Sequence, residues 1–220
     1  MKYSALLQAG VLALTGLTLA SNAEAAIITV INPSFETLPV GGLPLGCGVN
    51  CSYSATSIPG WTTGAAVGQF RPGAPINTTY FNTLSDGPTS AYSNGGTISQ
   101  IVAPTVQLGV LYTLLVDIGW RKDQSGSGTA ALTIGGTPIL ATGTLIQGTF
   151  QTFTATYTGL AADVGKTIGV LLSRTAGSQA NFDNVRLSDS IGSAVPEPGT
   201  IGMMAAGLGA LLVMRRKLFA

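Results

Sequence analysis

Between Ala26 and Ser193 the hydrophobic positions alternate with polar ones and do not recur every three or four residues. Tyr112, Leu114, Val116, Ile118 and Trp120 alternate with Thr113, Leu115, Asp117 and Gly119, which predicts a strand with one face on a core. Phe153, Ala155 and Tyr157 alternate with Thr152, Thr154 and Thr156 in the same way. So do Ile168, Val170 and Leu172, and Leu132 with Ile134, with threonines between them that suit a pleated solvent face. Further strands are predicted at 27–31, 67–70, 97–103, 137–141 and 181–187, separated by Gly, Pro, Asn and Ser clusters. This spacing predicts an all-β fold, a two-sheet jelly-roll β-sandwich over residues 26–193.

The pattern changes at both ends. Residues 1–25 have the layout of a secretory signal peptide, with Lys2, an apolar stretch from Ala5 to Ala20 and the small-x-small site Ala23-Glu24-Ala25. The mature chain is expected to start at Ala26. At the other end, Val195-Pro196-Glu197-Pro198 forms a stiff spacer that cannot continue a sheet ladder. An uncharged run follows, 16 residues from Gly199 to Met214, closed by Arg215-Arg216-Lys217. That is shorter than the roughly 20 residues that cross a bilayer comfortably. The cationic end is expected to stay cytoplasmic, with the sandwich on the outer side of the inner membrane.

Export sets the redox context of Cys47 and Cys51 in Gly46-Cys47-Gly48-Val49-Asn50-Cys51. A local disulfide is the expectation in an oxidising compartment. A metal-binding pair would lack further thiols and any imidazole, because the chain has no histidine. The same absence excludes His-dependent nucleophilic triads and His-ligated zinc. A formal net charge of +1 on 220 residues argues against a nucleic-acid partner.

The Val-Pro-Glu-Pro motif, the short Gly/Ala/Leu/Met segment and the Arg-Arg-Lys cluster together resemble the PEP-CTERM sorting signal of exported Gram-negative bacterial proteins. The resemblance implies an exosortase-type processing enzyme as partner and transient holding in the inner membrane through 199–214. It also implies release or display at the cell surface, in association with an exopolysaccharide or biofilm matrix. On this reading 194–220 is a sorting segment with a short transmembrane helix.

More loosely, the middle of the chain resembles galactose-binding-like jelly rolls of the kind found in carbohydrate-binding modules. The residues that carry the likeness are Asn32-Pro33-Ser34-Phe35-Glu36, Ile58-Pro59-Gly60-Trp61, Ile98-Ser99-Gln100 and Phe182-Asp183-Asn184-Val185-Arg186-Leu187. Asp183 shares the parity of Val185 and Leu187, so the alternation predicts an inward carboxylate, where an unpaired charge is costly. A turn cap, an arginine partner or a cation would each answer that cost. Related jelly rolls place a structural calcium between the first and last strands, and the resemblance implies Glu36 and Asp183 as its carboxylate ligands here.

A sugar-binding face calls for flat, exposed rings with polar neighbours. The candidates are Trp120, Tyr80, Phe81 and Tyr92, with Arg71, Arg121, Asp123 and Gln124 in nearby loops; Trp61 reads as core, and Trp120 fits the core as well. The polar, glycine-rich stretch 121–128 reads as a mobile turn. No pair of acids is singled out by spacing for glycoside hydrolysis, and Asp117 reads as a solvated charge on a Thr-rich strand face. The sequence therefore points to a noncatalytic surface or extracellular-matrix protein. A specific lectin-like carbohydrate-binding module is the alternative, and a carboxylate-based glycoside hydrolase a more distant one.

Overall fold

A computed structural model describes residues 25–55, 57–73 and 79–191. The expected signal sequence up to residue 24 and everything from residue 192, including Val195 to Pro198 and Arg215 to Lys217, lie outside the described residues. Among the described residues, no helix is long and apolar enough to cross a membrane.

In chain order the strands are β1 (Ala26–Ile28), β2 (Leu45–Gly48), β3 (Cys51–Tyr53), β4 (Thr62–Thr63), β5 (Val67–Arg71), β6 (Ser90–Ser93) and β7 (Thr97–Thr105). They continue as β8 (Val110–Gly119), β9 (Gly126–Ile134), β10 (Thr137–Leu140), β11 (Phe150–Thr158), β12 (Thr167–Gly177) and β13 (Ala180–Ile191), with a 3-10 turn at Ala161–Asp163. One antiparallel sheet has the order β11-β8-β13-β6-β5-β3-β2, with β1 added to β13. The second has the order β10-β9-β12-β7-β4. This is the two-sheet all-β sandwich that the alternation predicts.

The alternating residues build the main core. Tyr112, Leu114, Val116 and Ile118 of β8 lie in one cluster with Phe153 and Ala155 of β11 and with Leu132, Ile134, Ile168, Val170, Leu172 and Ile98 of the other sheet. Each such side chain, fully buried, contributes about 1.5–3 kcal/mol relative to exposure. Their partners on the pleat lie on the opposite face, so Asp117, flanked by Val116 and Ile118, points away from this core.

Two glycines of the predicted mobile turn belong to β9 instead. Gly126 pairs with Gly177, and a Cβ on it would stand 1.8 Å from the Gln179 carbonyl; one on Gly128 would stand 2.8 Å from the Phe182 ring. The small residues here record close packing, with only 121–125 left as the turn.

Candidate functional site

The Asn32-Pro33-Ser34-Phe35-Glu36 segment is a tight turn in which Asn32 and Phe35 adopt positive φ, 50° and 57°. The Asn32 side chain holds it, accepting from the Thr37 N–H (2.9 Å) and donating to the carbonyls of Thr37 and Pro59 (both 3.1 Å). The turn drives Phe35 fully into the core against Trp61, ring centroids 5.3 Å apart. Trp61 is thus core, as expected, and its Nε1 donates to the Asn32 carbonyl at 3.2 Å. Gln69, also fully buried, donates from Nε2 to the carbonyls of Phe35 (2.5 Å) and Thr37 (3.0 Å). Gln100 does the same service for Ile31 and Gly60. Glu36 emerges from this frame aimed at the segment that leads into β6.

The last strand meets the same turn. The Val185 N–H donates to the Pro33 carbonyl at 3.0 Å, in the stretch where the β13–β8 register breaks between Asp183 and Arg186. Asn184, at φ 47°, sits in that bulge. Phe182 lies opposite Ile118 and faces the core, and Leu187 lies opposite Leu114 and also faces the core, although their positions differ in parity. The bulge therefore resets the alternation. Asp183 lies opposite Asp117, on the face away from the main core, which corrects the inward orientation expected from its shared parity with Val185 and Leu187.

Both acids are nonetheless buried, Asp183 at 0% and Asp117 at 6% exposure, because the segment around residues 80–89 covers this part of the sheet. Asp117 is the residue that sequence reasoning misassigned as a solvated charge. Its carboxylate accepts from Ser85 Oγ, Thr152 Oγ1 (2.6 Å), Asn184 Nδ2 (2.9 Å) and Arg186 Nη2 (3.0 Å). Donors from β11, β13 and the covering segment thus saturate it, with Arg186 as its ion-pair partner.

Asp183 has no such counter-charge. It accepts from the backbone N–H groups of Asp86 (2.9 Å) and Asn184 (2.8 Å). Burial pushes its carboxyl up to about 8; the nearby charges of Asp86 and Glu36 add to this, while the two backbone bonds oppose it. Glu36 accepts from the Thr89 N–H at 2.7 Å and is likewise raised, first by burial and also by Asp86, against Thr89 and Arg71, which lower it. Asp86 itself accepts from Ser34 Oγ at 2.5 Å.

The covering segment thus brings Glu36 and Asp183 to one corner and adds Asp86, which sequence reasoning did not single out. Among the described residues no group of three or more Cys, Asp or Glu side chains is drawn together as a finished metal cage. The carboxylates of this corner are bound by the backbone N–H groups of Asp86, Asn184 and Thr89 and by the Ser34 hydroxyl, with the buried Thr89 hydroxyl beside Glu36.

The same covering segment also corrects the expectation of exposed rings. Tyr80, Phe81 and Tyr92 are buried, in a second apolar cluster with Phe70 and Cys51 that packs Tyr53, Leu84 and Phe150 around it. Cys47 and Cys51 are bridged, Cα atoms 5.0 Å apart, at the tip of the β2–β3 hairpin beside this cluster. The Tyr80 hydroxyl donates to the Cys47 carbonyl at 2.9 Å, and that of Tyr92 to Ser54 at 2.9 Å. Arg121 lays its guanidinium over Tyr80 (4.4 Å) and Phe70 (5.3 Å), is bound by both oxygens of Asp123, and donates to Gln179. Arg121 and Tyr80 are brought together as neighbours, with Tyr92 in the same cluster. Trp120, just past β8, is half-buried, with its Nε1 enclosed and unpartnered among the described residues.

Residues 26–188 match the family described as HpiC1-like, HpiC1 cyclase, and residues 194–217 match the PEP-CTERM protein-sorting motif. No curated protein matches the sequence. Among solved structures, the xylan-binding domain CBM22-1 of Paenibacillus barcinonensis Xyn10C is 12% identical at a TM-score of 0.44, covering 79% of this chain and 100% of that one. TmCBM61, solved with beta-1,4-galactotriose, is 18% identical at 0.39, covering 73% and 97%. The CBM22-1–GH10 modules of Clostridium thermocellum xylanase 10B, solved with xylohexaose, are 15% identical at 0.41; the match covers 66% of this chain and 28% of that one.

Proposed function

The chain belongs to the HpiC1-like family, and from that premise and its PEP-CTERM motif we propose that it is an exported, noncatalytic surface or extracellular-matrix protein. The observation that carries the proposal is the sorting motif, which begins three residues after Ile191, the last residue of β13. In this reading residues 1–25 are removed on export, 26–193 form the ectodomain, and an exosortase-type enzyme processes 194–220 while 199–214 is held in the inner membrane. The ectodomain then associates with a polysaccharide matrix. Its low charge and the Thr- and Ser-rich outer positions of β7, β9, β11 and β12 suit a hydrated polymer. Trp120, half-buried beside Arg121, is the side chain that would stack on a sugar if recognition is lectin-like.

Calcium completes the proposal. Glu36 and Asp183 would hold it, with Asp86 as an added carboxylate and loop carbonyls as further oxygens; the nearness of the three acids, whose charges help to raise the Glu36 and Asp183 carboxyls, supports this. The ion would cancel the charge that makes this corner costly and tie the first turn to the last strand.

A second reading is acid catalysis of a cyclisation, favoured by the family's cyclase description; Asp183, fully buried, would have to be uncovered to serve as its general acid. Two measurements on protein from the native host decide between them. Intact-mass spectrometry is expected to find a mature chain beginning at Ala26 and lacking Arg215-Arg216-Lys217; retention of that cluster on most secreted molecules would sink the sorting reading. A glycan array is expected to show broad, weak retention by polymers. Saturable binding to one glycan, lost in Trp120→Ala, would instead make the protein a lectin, and binding to none would favour the catalytic reading.

A further inference from the structure

The end of the sandwich where β13 finishes is unusually aliphatic. Ile191 pairs with Val110, and Leu111 lies between Ser190 and Thr158, so β13 and β11 finish on either side of the start of β8. The two adjoining loops are laced together: Val106 donates to the Lys166 carbonyl and accepts from the Gly165 N–H, and Gly109 donates to Gly159, whose N–H donates to Val110. From this rigid end five large apolar side chains project into solvent: Leu108 (67% exposed), Leu111 (37%), Leu160 (57%), Val164 (54%) and Ile191 (72%). The charges set among the loops, Asp163 and Lys166, neutralise each other as an ion pair at 2.5 Å. Five exposed aliphatic side chains on neighbouring loops and strand ends, with the loop charges paired off, make this end a candidate contact surface.

The sequence supplies the argument for which one. Seven residues, 192–198, separate Ile191 from the apolar run that begins at Gly199. Fully extended they reach at most about 25 Å. Any surface that holds 199–214 is therefore presented to this rim at high effective concentration, where a contact too weak to hold a free domain becomes populated.

We propose that this end of the sandwich is a lipid-docking face, with Leu108, Leu111, Leu160, Val164 and Ile191 seated between headgroups and acyl chains of the bilayer that holds the sorting segment. The inference rests on that segment being membrane-held before processing. Contact of this size is reversible, since a few aliphatic side chains give only marginal membrane binding. The domain stands on the membrane while tethered and lifts off once the tether is cut.

The test uses the full chain in phosphatidylethanolamine/phosphatidylglycerol vesicles, with a fluorophore on a single introduced thiol and a nitroxide quencher at shallow depth in the lipid. Leu160→Cys reports on the rim. Ala176→Cys, exposed near the opposite end of β12, is the control. Quenching at 160 is expected to exceed that at 176 by about threefold or more. Adding Leu108→Ser and Val164→Ser should bring the 160 signal down to the control level while the protein still floats with the vesicles. Flotation with equal quenching at 160 and 176, or no effect of the serine pair, overturns the docking face and leaves membrane holding intact. Failure of the full chain to float at all overturns both.

Discussion

Replacing Asp183 with asparagine in the presence of chelator should change the sign of its effect across a few pH units. In the folded protein burial holds this carboxyl at about 8, against 3.8 for the ordinary group. Between those values the folded chain keeps a proton that the unfolded chain has shed. The resulting stability is fully present below about pH 3.8 and is lost as the pH rises towards 8, beyond which it is flat. Four units at about 1.36 kcal/mol each amount to on the order of 5 kcal/mol. Asparagine cannot ionise, so the variant lacks that slope. It offers one acceptor oxygen where two backbone N–H groups now bind, from Asp86 and Asn184, at a cost of about 1–3 kcal/mol. Asp183→Asn should therefore be less stable than the parent near pH 4 and more stable by a few kcal/mol at pH 8. Urea denaturation at each pH measures it, and taking the difference between the two proteins removes the other carboxylates to first order. Calcium at a hundredfold excess over its dissociation constant should then stabilise the parent by about 2.7 kcal/mol at pH 8, and the variant not at all. A pH-independent difference between the two proteins would refute the buried-acid reasoning itself. The predicted crossing without any calcium response would refute only the cation.

Three other substitutions probe the surroundings. Asp117→Ala leaves Ser85, Thr152 and Asn184 without their acceptor while the half-exposed Arg186 turns to water, and should cost about 1–3 kcal/mol in urea denaturation; no measurable loss would mean that the four bonds are not held together. Cys47→Ser with Cys51→Ser opens a short loop and should lower stability by about 1–3 kcal/mol with the strand circular dichroism unchanged. Gly126→Ala forces a methyl onto the Gln179 carbonyl and should cost about 1–3 kcal/mol, whereas alanine at a freely turning position would be neutral.

The strands that carry the core were legible because their alternation runs unbroken: β8, β11 and β12 were found from period alone. The strands β2, β3, β4 and β6 span two to four residues each, too short for a local period to mark them, and β4 and β6 are paired by strands distant in sequence. Asp183 shows where the reading by parity fails. One residue of bulge at Asn184 turns the side chain to the other face, and the bulge is set by Pro33, some 150 positions earlier in the chain. Asp117 and the rings of Tyr80, Phe81 and Tyr92 failed for a related reason. Whether a strand's second face meets water depends on what later or earlier segments lie across it, and here the segment around 80–89 does. The nearness of Glu36 to Asp183 is nonlocal in the same way: nothing in the neighbourhood of Glu36 announces an approach to the last strand.

The central position of β13 bears on the order in which the molecule can assemble. It lies between β8 and β6 and also receives β1, so the larger sheet is split until the final twelve residues of the domain are present. A chain threaded N-terminus first through a membrane pore thus cannot close its core prematurely. The sheet's contacts are long-range and slow to form, and the strand that joins them is the last of the domain, immediately ahead of the sorting motif. Closure of the larger sheet is thereby left by the topology to the end of the domain.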